Sequence, residues 1–74
     1  MTVAQLDAVQ NDLENSSTVA QNLSAEIGKI RNMMYGVNSQ GMFTPAQVAQ
    51  EKTKVKTDIA NLIIALQNIN NRIV

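Results

Sequence analysis

The chain is predicted to be all-α: an antiparallel two-helix coiled-coil hairpin, packed into a higher oligomer or onto a larger assembly. Three observations predict it. One apolar stripe runs Leu6, Val9, Leu13, Ser16, Ala20, Leu23, Ile27, Ile30, Met34. A second runs Val48, Lys52, Val55, Ile59, Leu62, Leu66, Ile69, Ile73. Between them lies one short connection with strong helix stop and start signals. Both stripes step by three and four residues in alternation, which keeps one seam of a helix turned toward a partner along its length.

The first helix is expected over about residues 3–35. Thr2 is its N-cap, and Gln5 stands where a capping box places its amide. Gly36 follows Tyr35, and glycine is the usual residue just past a helix end. The loop is expected at about 36–43. Thr44 then caps the second helix, Pro45 sits at N1 where its missing N–H is harmless, and Gln47 completes a second capping box. Phe43 and Val48 form a hydrophobic staple across that start. The second helix is expected over about 45–72. At 1.5 Å per residue each helix is about 45 Å long. A short connection makes such helices antiparallel neighbours. Folding there sets Ile73 beside Leu6, Leu62 beside Ser16 or Ser17, and Lys52 beside Ile27. The whole chain, 1–74, is read as this single hairpin, with its core formed by Leu13, Leu23, Ile27, Ile30, Val55, Ile59, Leu62, Leu66 and Ile69.

Two places depart from the pattern. Asn15-Ser16-Ser17-Thr18 is a run of poor helix formers with Ser16 on the seam. It reads as a small residue opposite bulky Leu62 and Ile63, or else as a hinge. Lys52 also stands on the seam. It is expected to reach the edge and pair with Glu26 or Asp58, or else to fix the helical register.

A hairpin uses one seam per helix, and apolar residues remain. Ile63 and Ile64 lie beside and behind the second stripe, and Val19 and Met33 flank the first. Met33, Met34, Tyr35, Val37, Met42 and Phe43 gather both aromatics at the loop end. Phe43 and Met34 are expected to close the end of the core. Tyr35, Val37, Met42, Ile63 and Ile64 are the candidate interface to a neighbour.

Catalytic chemistry has little to work with. The chain has no histidine and no cysteine, so thiolate metal sites, disulfides and imidazole acid–base catalysis are excluded. The six carboxylates are dispersed, no base stands ready for Ser16, Ser17 or Ser24, and the three glycines form no phosphate loop. An enzyme is not expected, and neither is a cofactor or metal. Formal net charge is zero, which argues against bulk attraction to nucleic acid. Lys52, Lys54 and Lys56 form a small basic group, but Glu51 and Asp58 partly neutralise it and no aromatics interleave it. The longest aliphatic run, Leu62 to Leu66, is too short to span a bilayer, and the N-terminus has no signal-peptide pattern.

The polar surface is mostly uncharged, with nine Asn and seven Gln against six acidic and six basic residues. Amides pair in either direction and suit crowded assemblies. The amide-rich hairpin plan, the opening Val3-Ala4-Gln5-Leu6 and the apolar terminus from Ile69 to Val74 resemble the small subunits that polymerise into type III secretion needles. That resemblance implies a self-polymerising filament subunit. The family turns at a proline-bracketed P-(S/N)-x-P loop with a shorter first helix, whereas here the turn runs from Gly36 to Pro45, so no family residues are assigned. The leading expectation is a non-enzymatic structural protein, a small component of a virion such as a tailed phage, which decorates or bridges larger subunits. A needle-like filament subunit is the alternative, and a small RNA-binding or adaptor hairpin dimer is another. Expected partners are the chain itself and larger structural proteins. The expected location is a virion or an extracellular assembly, with the cytoplasm as the alternative.

Overall fold

Two helices account for nearly all of the computed structural model, which describes residues 1–39 and 43–74. Helix α1 spans Val3–Ser39 and α2 spans Pro45–Arg72. They pack against each other as an all-α helical hairpin, and there is no strand among the described residues. The rod measures 56 × 15 × 10 Å, with a radius of gyration of 17.1 Å. A compact chain of this length would have about 11 Å.

Both helices begin in the same way. The Thr2 N–H donates to Gln5 Oε1 at 2.8 Å, and the Gln5 N–H donates to Thr2 Oγ1 at 3.2 Å. Thr44 and Gln47 repeat the two bonds at the same distances, with Pro45 in the first turn. Each box satisfies two backbone N–H groups that a helix start otherwise leaves open. At the far end of α2 the Ile73 N–H closes onto the Asn70 carbonyl at 3.3 Å.

The first helix is four residues longer than expected, because Gly36 does not end it. Gly36 is buried inside α1, which runs on to Ser39. The run Asn15 to Thr18 does not break α1 either. Thr18 Oγ1 donates to the Glu14 carbonyl at 3.2 Å, so this hydroxyl is used within the helix. Ser16 is buried on the side facing α2, as a small residue.

The longer α1 moves the register. Arg72 reaches Asp12 across the open end of the rod, which places Ile73 about five residues, or ~7.5 Å, further along α1 than Leu6. Ser16 therefore lies level with Ile69, and Leu23 with Leu62; both pairs line one groove.

The core is a single line of side chains. Leu23, Ile30, Met33, Val48 and Val55 form one buried cluster, with Phe43 and Leu62 packed against it. Val9, Ser16 and Ile69 are buried further toward the open end. Phe43 closes the loop end as expected, but its companion is Met33; Met34 is exposed. No large side chain among the described residues is completely covered. A core this thin is a weak basis for an isolated fold.

Candidate interaction surface

The buried positions Val9, Ser16, Leu23 and Ile30 recur every seven residues, as do buried Val48, Val55 and Ile69 with half-buried Leu62 between them. Along most of the rod each helix thus meets the other along one row; at the loop end Met33 and Gly36, off that row of α1, are buried as well. At about 100° per residue, positions three further on turn to one side of that row and positions four further on turn to the other. In an antiparallel pair the like-turned positions of both helices come to the same side of the rod. The two sides carry different chemistry.

The three-further positions open a groove with a polar rim and an apolar floor. Asp12, Val19 and Glu26 line it from α1, and Asp58, Ala65 and Arg72 from α2. Asn15, Asn22, Asn61 and Asn68 form its outer walls. Both ion pairs found among the described residues lie here: Arg72 with Asp12 at 2.7 Å and Lys54 with Glu51 at 3.4 Å. The walls are amides and charges, and no cluster of potential metal ligands occurs among the described residues. Beneath this polar rim the floor is apolar, formed by Leu23, Val55, Leu62 and Ile69.

The four-further positions carry aliphatic side chains. On α1 they are Leu13, Ala20, Ile27 and Met34, with Leu6 one heptad before. On α2 they are Ile59 and Leu66, with Ile73 just past its end, Ile63 just outside Ile59 and Leu66, and the one cation, Lys52, toward the loop. These aliphatics are exposed. The contrast with the buried row is sharp: Leu23 and Val55 are 8% and 4% exposed, while Leu13 and Ile59 are 45% and 40% exposed.

This corrects the expected hairpin core. Leu23, Ile30, Val55 and Ile69 are buried between the helices, and Leu62 is half-buried. Leu13, Ile27, Ile59 and Leu66 are not; they form the outer apolar face. Two round helices touch along one row each, so the second row of a heptad pattern has no partner within the hairpin. A wider apolar stripe is what a helix needs when it packs against more than one neighbour.

The expected interface residues are distributed differently as well. Ile63 and Ile64 are both exposed, but only Ile63 joins the apolar face; Ile64 turns to the back of α2, away from α1. Tyr35 is exposed near the loop end. Met42 and the side chain of Val37 lie outside the described residues. Lys52 does not pair with Glu26 or Asp58, because both carboxylates line the groove while Lys52 stands on the opposite, apolar side. The face that matters was present in the sequence as half of each stripe, and strict seven-residue spacing is the signal that separates the halves.

No helix among the described residues is long and apolar enough to cross a membrane. No family model matches this chain, and neither does any curated protein or solved structure.

Proposed function

We propose that this chain is a non-enzymatic assembly protein that works by helical packing. Its setting, on this reading, is a virus particle in which it decorates or bridges larger subunits. One observation carries the proposal: each helix keeps a row of aliphatic residues outside the hairpin, and the two rows meet on one face. Contiguous apolar surface of this kind on a small chain marks a docking site. The virion setting is supported by composition, since sixteen amide side chains and zero net charge suit a densely packed polar environment.

The experiment is sedimentation of nuclease-resistant particles from the virus or cells that encode the chain, with immunodetection across the gradient. The chain is expected to travel with the particles, and the double variant Ile59→Gln/Leu66→Gln is expected to be lost from them while its helicity persists. A wild-type chain found only in the slow, free fraction sinks the particle setting. Long filaments formed by the isolated chain would overturn it in favour of a needle-like subunit.

A further inference from the structure

We infer that the apolar face is occupied by a second copy of this chain, packed antiparallel with α1 on α1, about a two-fold axis beside Ala20. This rests on the reading of that face as a docking surface and names its first partner.

The pattern of α1 is self-complementary. Its outer row is Leu6, Leu13, Ala20, Ile27 and Met34, at seven-residue steps. Reversing the row exchanges Leu6 with Met34 and Leu13 with Ile27, and returns Ala20 to itself. A two-fold interface requires this property, because each residue must suit its own image. The smallest side chain falls at the axis, where two helices of the same row approach most closely. Ile63 of α2 lies level with Ala20 in the register set by Arg72 and Asp12, so both helices contribute apolar surface at the centre.

The area matches a second copy. The hairpin exposes 5549 Å², whereas a compact monomer of its mass exposes about 4,500 Å². The excess of about 1,000 Å² belongs to the whole rod, and it is large enough for the hairpin to give up the ~800 Å² that each partner covers in a stable interface of ordinary size.

Charge selects the direction. Arg31, Lys52 and Lys56 stand at the loop end of this face, and none takes part in an ion pair among the described residues. A parallel arrangement would lay Arg31 of one copy over Lys52 of the other and cluster all six cations. The antiparallel arrangement separates the clusters by much of the rod's length.

The chain lacks cysteine, so introduced thiols report the geometry cleanly. Ala20→Cys places a thiol on the axis, and Asn22→Cys places one in the opposite groove. Light scattering of the full chain over a concentration series should give twice the 8.1 kDa chain mass. Under mild oxidation Ala20→Cys should cross-link within that dimer several-fold faster than Asn22→Cys. A mixture of Leu13→Cys and Ile27→Cys chains should cross-link between unlike partners, which gives an independent check if Ala20→Cys perturbs folding. A monomer at every concentration overturns the dimer. If Ile59→Gln/Leu66→Gln is nevertheless lost from particles, the docking reading survives and a larger subunit is the occupant. A dimer in which Ala20→Cys is no faster than Asn22→Cys overturns the antiparallel packing on this face.

Discussion

Arg72 Nη1 lies 2.7 Å from Asp12 Oδ2, and this contact ties the last turn of α2 to a fixed level on α1. Both side chains are roughly half-exposed, so the pair belongs with surface ion pairs that contribute about 0.2–1 kcal/mol. Arg72 also sits in the final turn of α2, where a cation favours the helix dipole. Arg72→Gln should therefore lower the unfolding midpoint more than Asp12→Asn does. A double-mutant cycle by chemical denaturation isolates the pair, and its coupling should shrink toward zero in high salt. A coupling that salt leaves unchanged would contradict this account.

The two capping boxes have the same geometry but different consequences. Thr44 starts a helix whose fourth residue, Val48, is buried in the main cluster. Thr2 starts an end of α1 where Val3 and Leu6 are exposed. Thr44→Ala should cost about 1 kcal/mol of global stability. Thr2→Ala should fray the first turn and leave the denaturation midpoint nearly unchanged. Denaturant midpoints report the first, and amide exchange of residues near the N-terminus reports the second. Equal midpoint shifts would show that the N-terminal turns are held as firmly as the core.

Ile63 and Ile64 are neighbours in sequence that look toward different sides of α2. Ile63→Gln should weaken self-association at least several-fold in sedimentation equilibrium, with helicity retained. Ile64→Gln should leave the association constant unchanged. The reverse order would place the docking surface on the back of α2.

The helix starts were legible because their chemistry is local: Thr44, Pro45 and Gln47 name a cap without reference to the rest of the chain. The buried rows were legible in part, because Leu23, Ile30, Val55 and Ile69 stand in a heptad stripe. Which half of the stripe faces inward was not legible. Leu13 and Ile27 are as apolar as Leu23 and Ile30, and periodicity places both pairs on one broad surface. Only the rotation of α1 against α2 decides between them. Gly36 misled for a similar reason. A glycine just past a helix and a glycine within one look alike in sequence. Extending α1 past Gly36 then shifted every cross-helix neighbour, which moved the partner of Ser16 from Leu62 to Ile69.

Gly28 gives the last prediction. It lies inside α1, and a Cβ built there meets nothing within 4 Å. Glycine in a helix interior is destabilising by about 0.5–1 kcal/mol relative to alanine, chiefly through the backbone freedom it loses on folding. With open space around the new methyl group, no packing penalty opposes that gain. Gly28→Ala should raise the thermal midpoint by about 2–8 °C, using the ~4–8 °C per kcal/mol expected for a chain of this size. The position is on the outer flank of α1, two turns from Ala20 and off its row, so the dimer mass should not change. A lower midpoint with the mass unchanged would mean that the glycine holds a bend or a close approach in α1. A higher midpoint with the dimer lost would mean that a second chain rests on Gly28, and would move the contact from the row of Leu13 and Ile27 to the back of the helix.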